Sequence, residues 1–424
     1  MMKIITVRDI DKFANSIIPK PSKTNKKKIE SIVIDVRKNG DNAVKKYEKK
    51  FGGFKNGPMK VSKREILTSY HKVTKDQVNA LKITKNRLTK TELAIKKRLG
   101  NFEVTTDGVK IKKFFFPISS VGCYVPGGSA RYPSSLVMSV IPAKVAGVKR
   151  IVVVSPTNKK GVIDSLTLVA ADLCGVDEIY KIGGAQAIAA LSYGTKSIPK
   201  VDKIIGPGSS FVSIAKSIIS DDTSIDMIAG PTELGIIVDS TSKADFVAAD
   251  LISQAEHSKD TFCFVLTTSK NIAKGITQSV KQKIKTIKRK EIVQKSLENN
   301  GFVGVCKSEN DMITLANKLA PEHLEIITKN PKVLAAKLTT AGLVLLGENT
   351  PSSASDYMLG SNHILPTNGF GKVRGSLSVM DFMKLGTEVE SSKSALRKIS
   401  KYMNAICNSE GLPNHYEAVK SRLK

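Results

Sequence analysis

From about residue 116 to 350, short runs of apolar, β-branched residues alternate with Ala-rich segments, and this pattern constrains the fold more than any other feature. The runs are Arg150 to Ser155, Glu178 to Ile182, Lys203 to Ile205, Leu234 to Asp239, Thr261 to Leu266 and Gly342 to Leu346. A continuous apolar run suits a strand covered on both faces. The segments between predict helices over Ser135 to Val148, Val162 to Cys174, Ala185 to Tyr193, Ser210 to Ile219, Lys243 to Ala255 and Asp311 to Leu319. Strand and helix in alternation imply an α/β chain with mostly parallel sheets, and the length of the zone leaves room for two.

The flanks differ in texture. Residues 1 to about 115 are Lys-rich and helical in pattern. Ile29, Ile32, Val33, Val36, Ala43, Val44 and Tyr47 recur at three- and four-residue spacing, and Lys75 to Lys97 reads as a second amphipathic helix. The tail from about 377 reads as a helix over Ser391 to Ile406 and a short helical end. At 424 residues the prior is two or three domains, large enough to fold without disulfide or metal.

Composition narrows the class. The five Cys, at 123, 174, 263, 306 and 407, form no CxxC and suit a reducing cytosol. No apolar run approaches the roughly 18 residues of a membrane span, and the first residues have no apolar signal core. The expectation is a cytoplasmic protein with no membrane partner. Net charge is +29, from 67 Lys and Arg against 38 Asp and Glu. That could mark a nucleic-acid surface, but Trp is absent and aromatics are 5%. A solvated Lys-rich surface is the preferred reading, with nucleic acid not expected as a partner.

Three Gly-rich turns sit near strand ends: Tyr124-Val-Pro-Gly-Gly128, Ile182-Gly-Gly-Ala-Gln186 and Gly206-Pro-Gly-Ser-Ser210. Such turns present backbone N–H groups to an anion, or simply lead a strand into a helix. None is GxGxxG, so a standard dinucleotide loop is not supported.

Of the five His, His71 has no chemical neighbour of note. Gln254 and His257 share a face near a helix end, a workable metal-ligand spacing or an ordinary pair. Pro321-Glu322-His323 follows Leu319-Ala320, and Pro favours a first helical turn. Glu322 and His323 are thus expected to project from the start of a helix. There they would divide base work between water and an alcohol, or form a plain acidic first turn. Asp356 lies in a polar loop after a strand and offers a hard oxygen ligand or a turn. His363 follows in Gly360-Ser-Asn-His-Ile-Leu-Pro366, and Glu410 and His415 lie beside a Gly-Pro break near the C-terminus. One Gln, two His and one Asp would make an N/O shell for zinc or manganese, although spacing does not show that they converge.

Taken in order, these segments carry a resemblance. The chain resembles the histidinol dehydrogenases over nearly its whole length. The segments are Val121-Gly-Cys-Tyr-Val-Pro-Gly-Gly-Ser129, Gly183-Gly-Ala-Gln-Ala-Ile-Ala-Ala-Leu191, Val201-Asp-Lys-Ile-Ile-Gly-Pro-Gly208, Ile228-Ala-Gly-Pro-Thr-Glu233 and Asp250-Leu-Ile-Ser-Gln-Ala-Glu-His257. Leu319-Ala-Pro-Glu-His-Leu324, Asp356-Tyr357, Gly360-Ser-Asn-His-Ile-Leu-Pro-Thr367 and Glu410-Gly-Leu-Pro-Asn-His415 complete the set.

The resemblance implies two intertwined, incomplete Rossmann-like domains with small N- and C-terminal helical pieces. Residues 1–21 would be the N-terminal piece. Residues 22–121 with 233–376 would form the first domain, holding most catalytic and zinc residues. Residues 122–232 would form the NAD-binding domain, and 377–424 the dimerisation piece. It implies oxidation of L-histidinol through histidinal to histidine with two NAD⁺, the last steps of histidine biosynthesis. By match, Gln254, His257, Asp356 and His415 would hold zinc. Glu322 and His323 would be the acid–base pair. Thr232, Gln254, His257, His323, Asp356, His363, Glu410 and His415 would contact substrate. Tyr124, Gln186 and Ser209 would contact NAD. Glu410 and His415 would cross the interface of a homodimer. Ser209 stands where the family often has Asn, and Thr232 where it often has Ser.

Three other readings stand beside this one: a related zinc and NAD dehydrogenase of another small alcohol, a catalytically dead homologue, and a basic nucleic-acid-binding protein. The set Glu410, His415 and His363 favours histidinol. The intact Glu322-His323 pair and four candidate ligands argue against the dead homologue. The ordered His and Glu motifs would have no use in a purely basic binding protein.

Overall fold

The apolar runs become strands of two parallel sheets in a computed structural model that describes residues 2–17, 26–53, 57–127 and 131–424. One sheet has the spatial order Glu178–Tyr180, Arg150–Val154, Ser120–Tyr124, Lys203–Ile205, Ser224–Ile225. The other has the order Lys3–Thr6, Gly301–Val305, Phe262–Thr267, Glu233–Val238, His323–Ile327, Leu343–Leu346. Every pairing in both is parallel. Counted in chain order, the first sheet runs 3-2-1-4-5. The second repeats that winding and adds Lys3–Thr6 at its edge.

Burial explains the unbroken apolar runs. Every residue of Glu233–Val238 and of Phe262–Thr267 is buried. Helices Ala244–Ala255, Lys270–Lys283 and Lys290–Asn300 cover one face of the six-stranded sheet through Val247, Leu251, Ile276 and Val293. Ile10–Ile17 and Glu309–Leu319 cover the other through Ala14, Met312 and Leu315.

The N-terminal helices pack on the five-stranded sheet. Lys26–Phe51 lies against Gly184–Tyr193 and Ser210–Ile219, joining Ile29, Val33 and Val44 to Ile188 and Leu191. Lys63–Tyr70 lies against Ser165–Leu173, and Lys75–Arg98 against Pro133–Ala146. The resemblance grouped these helices with residues 233–376, whereas their apolar faces are buried against elements of 133–219. Likewise Lys3–Thr6, grouped with an N-terminal helical piece, is an edge strand paired to Gly301–Val305.

Met383–Ser391, Val109–Pro117 and Phe102–Thr106 form a small antiparallel sheet. It leads into helices Lys393–Ser409 and Pro413–Lys420. All five Cys are free and buried. Among the described residues no helix is long and apolar enough to cross a membrane.

Candidate active site

Residues 226–232 link Ser224–Ile225, the last strand of one sheet, to Glu233–Val238, a central strand of the other. The link joins the carboxyl end of the first sheet to the amino end of the second. Two groups of expected site residues lie on the two sides of this seam.

On the six-stranded side, Glu322 and His323 stand at the amino end of a strand. The sequence reading placed them at the start of a helix. Instead Ala320, at φ 47°, ends helix Glu309–Leu319 in a left-handed cap, and Pro321 follows as a stop. His323–Ile327 then pairs between Glu233–Val238 and Leu343–Leu346. Leu324 and Ile326 enter the core beneath Glu309–Leu319. Alternation along a strand turns His323 and Glu325 to the opposite face, where helix Ala244–Ala255 lies.

Both side chains are buried. Glu322 Oε2 accepts from Thr232 Oγ1 at 2.5 Å and from Glu233 N at 2.9 Å. Burial pushes its carboxyl up, opposed by His323 and these donors. His323 Nδ1 is 3.3 Å from the Glu233 carbonyl oxygen, and Nε2 is 3.3 Å from Asp356 Oδ1. Burial works against charging the imidazole, but the Glu322 and Asp356 carboxylates outweigh it and raise His323 to about 9. Asp356 is held below its ordinary value by His323 despite its own burial.

Asp356 caps the short helix Ser352–Ser355. Its backbone carbonyl faces His363 Nδ1 at 2.7 Å, and His363 Nε2 meets Ser135 Oγ at 3.0 Å. Ser135 lies on helix Pro133–Ala146 of the five-stranded unit, so His363 bridges the seam. Gln254 is buried in the last turn of Ala244–Ala255, and its Nε2 donates to Thr232 Oγ1 at 2.8 Å. His257 follows that helix at an exposed position, yet burial of its imidazole pushes it down, and its charge acts on Asp356.

Glu410 and His415 do not join this cluster within one chain. Glu410 caps helix Lys393–Ser409, His415 lies on Pro413–Lys420, and both are exposed. Among the described residues no three His, Cys, Asp or Glu side chains form a metal-binding group.

On the five-stranded side, the three Gly-rich turns follow the carboxyl ends of their strands. Gly128 of the first turn, and Ser129 of the longer segment that contains it, lie outside the described residues. Tyr124 is buried, and its hydroxyl accepts from Gly184 N at 3.2 Å. Gln186 Nε2 and Gly183 N both donate to Glu48 Oε1 at 2.7 Å. Glu48 reaches them from the N-terminal helix Lys26–Phe51, and burial pushes its carboxyl up. Ser209 is exposed at the N-cap of Ser210–Ile219.

The Gly206 turn is fixed from beneath. Lys216 and Asp226 form an ion pair out of water. Lys216 Nζ donates to Gly206 O at 3.1 Å, and Asp226 Oδ2 accepts from Gly206 N at 2.8 Å. Gly206 has φ 110°, and a Cβ there would lie 2.1 Å from the Tyr124 carbonyl oxygen. Only glycine allows that approach.

The sequence reading assigned no role to Glu233, Glu48, Lys216 or Asp226. Glu233 Oε2 accepts from Glu322 N at 3.2 Å and Oε1 from Asn368 N at 2.9 Å, while burial and the Glu322 charge push its carboxyl up to about 8. The only signal was a charged residue inside an apolar segment, as at Lys216 and Glu233.

Comparison with known proteins bears on the whole arrangement. Residues 19–423 match the family model described as histidinol dehydrogenase. The chain is 44% identical over 396 residues to histidinol dehydrogenase of Methanococcus maripaludis, covering 93% of this chain and 92% of the relative. It is 41% identical over 420 residues to that of Clostridium acetobutylicum, covering 98% and 97%. The crystal structure of histidinol dehydrogenase from Elizabethkingia anophelis superposes with a TM-score of 0.94 at 33% identity, covering 100% of this chain and 98% of that one.

Proposed function

The chain belongs to the histidinol dehydrogenase family, and on that premise we propose that it oxidises L-histidinol to L-histidine in two NAD⁺-dependent steps with zinc. Enzymatic action on histidinol, in histidine biosynthesis, follows from the family itself. The observation that carries the two-step reading is the adjacency of two buried groups with different partners, Glu322 and His323.

In the first step the substrate C–H bond breaks and hydride passes to the nicotinamide. The hydroxyl proton goes to His323 Nε2, and the C–O bond becomes the aldehyde carbonyl. The Glu233 carbonyl oxygen accepts from Nδ1–H, which leaves Nε2 as the basic atom. His323 and Asp356 orient the alcohol, and burial keeps bulk water from the aldehyde. In the second step Glu322 takes a proton from the attacking water as its oxygen bonds to the aldehyde carbon. The resulting hydrate, with its negative charge on the former carbonyl oxygen, gives a second hydride to a second NAD⁺, and loss of its one hydroxyl proton leaves the carboxylate. Thr232 and the Glu233 N–H hold Glu322 in place for that transfer.

The donor chemistry suits zinc. Gln254 spends an amide hydrogen on Thr232, which leaves its carbonyl oxygen to serve as a ligand atom, and His257 lies near enough to Asp356 for their charges to interact. His415 of a second copy would complete the shell. A zinc ion held by these residues would orient the substrate, and its positive charge beside Asp356 would offset the carboxylate that raises His323. Exposed Phe102, Val104, Leu385, Val389, Tyr402 and Ile406 on the antiparallel sheet and the following helix support a dimer through the C-terminal piece. Tyr124, Gln186 and Ser209 around the three turns would contact NAD.

The experiment is NADH formation from L-histidinol with zinc, beside a chelator-treated control. Two NADH per histidinol, lost on chelation and restored by zinc, is the expected result. No NADH from histidinol by folded, zinc-loaded protein would overturn the reading and turn attention to other small alcohols.

A further inference from the structure

Two carboxyl groups, Glu325 buried and Asp250 half-buried, lie beneath the candidate metal-binding face and take no part in the steps above. Asp250, Gln254 and His257 fall at i, i+4 and i+7, so they share one face of helix Ala244–Ala255 and its extension. Glu325 lies two residues beyond His323 on the strand face turned towards that helix. The Asp250 and Glu325 side chains hydrogen-bond to each other. Glu325 is 1% exposed, and its Oε1 accepts from Ser352 N at 2.6 Å. Ser352 opens the short helix that Asp356 caps, and this helix packs on Ala244–Ala255.

The largest influences on the two carboxyl groups are burial, their hydrogen bonds and, for Glu325, the charge of Asp250, not a cation. Two carboxylates cannot hydrogen-bond without a proton between them. Burial pushes both groups up, in keeping with one retained proton.

We propose that Asp250 and Glu325 are positioning residues, whose shared-proton hydrogen bond ties the helix bearing Gln254 and His257 to the strand bearing His323 and the turn bearing Asp356. This rests on the zinc reading given above. One hydrogen-bonded unit thereby joins the helix and the turn that supply Gln254, His257 and Asp356 to the strand that carries His323. Partners of this kind fix where ligand atoms point, and losing them typically costs roughly 10- to 100-fold in metal affinity or activity.

The test compares wild type with Glu325→Gln, Glu325→Leu and Asp250→Ala. Zinc affinity is read by chelator competition, ligand geometry by the visible spectrum of cobalt-loaded protein, and catalysis as kcat and KM for histidinol. Melting curves report the fold. Glu325→Gln should stay near wild type, because its amide oxygen accepts from Ser352 N–H and its amide nitrogen donates to Asp250. Glu325→Leu should lose roughly 10- to 100-fold in zinc affinity and shift the cobalt spectrum. Asp250→Ala, at a half-buried position that keeps the fold, should move both readouts the same way. Wild-type zinc affinity and cobalt spectrum in Asp250→Ala or folded Glu325→Leu would overturn the proposal. So would Glu325→Gln as impaired as the leucine variant. Wild-type protein that binds neither metal would instead overturn the zinc reading, and this inference with it.

Discussion

Thr232 Oγ1 stands between Glu322 and Gln254: it donates to the Glu322 carboxylate at 2.5 Å and accepts from Gln254 Nε2 at 2.8 Å. One hydroxyl thus sets both the carboxylate proposed to activate water and the amide proposed to face zinc. Thr232→Val keeps the shape and removes both bonds. Each stranded polar group costs about 1–3 kcal/mol, so kcat/KM for histidinol should fall roughly 10- to 100-fold. Thr232→Ser retains the hydroxyl and should lose less. Steady-state kinetics on the two variants decides it.

Removal of either acid–base group should separate the half-reactions. His323→Ala and Glu322→Ala are expected to abolish turnover with the fold intact by circular dichroism. Glu322→Gln is the sharper variant. Loss of a positioned proton acceptor costs about 10²–10⁴-fold, and that loss should fall on oxidation of supplied histidinal. Alcohol oxidation, which leans on His323, should suffer less. Equal losses on both substrates would assign Glu322 to a different task.

Metal and substrate binding should fail together. A Gln254→Ala, His257→Ala double variant is expected to lose zinc by elemental analysis and histidinol by calorimetry. NAD⁺ binding should survive, since Tyr124 and Gln186 lie in the five-stranded unit. Full histidinol affinity in the metal-free double variant would remove zinc from substrate recognition.

Stability should fall as pH rises through neutrality, partly because of Glu92. This buried carboxyl on helix Lys75–Arg98 accepts from Val379 N at 2.6 Å. Burial pushes it up to about 7, with the Asp381 charge adding to the rise and the Val379 N–H opposing it. The folded chain therefore holds the proton more tightly than the unfolded chain, where Glu titrates near 4.3. Its stabilising contribution is complete below about pH 4 and is lost by the time pH passes about 7, a swing of roughly 3 kcal/mol. Glu92→Gln keeps an acceptor for Val379 and should flatten that slope in denaturant titrations from acid to alkaline pH. An unchanged slope would show that Glu92 titrates normally.

The parallel α/β scaffold was legible because its strands are buried on both faces and show as unbroken apolar runs. Lys203–Ile205 and Ser210–Ile219 match the sequence reading residue for residue. His323–Ile327 did not show as a strand. Pro321 and two Glu flank or interrupt its apolar residues, and only pairing with Glu233–Val238, some 90 positions away, makes it one. The site residues could be named as types, and by resemblance as positions. Their supports could not. Glu48 reaches Gly183 across 135 positions, and nothing local marks it among its charged helical neighbours. Glu410 and His415, named by resemblance alone, lie on the C-terminal helices apart from the cluster of the same chain.

The ion pair beneath the Gly206 turn differs in kind from the charge on the rest of the molecule. Mobile ions screen charges that water reaches, within roughly 10 Å at 0.1 M, and act far less on charges that it does not. Lys216 is 1% exposed, whereas most of the other basic side chains that make up the +29 surface are solvated. Ionic strength therefore separates the two. A concentrated salt wash strips loosely held polyanions from the lysines while the backbone at Gly206 keeps its shape. The enzyme can then be freed of adventitious nucleic acid without loosening the turn under which that pair lies.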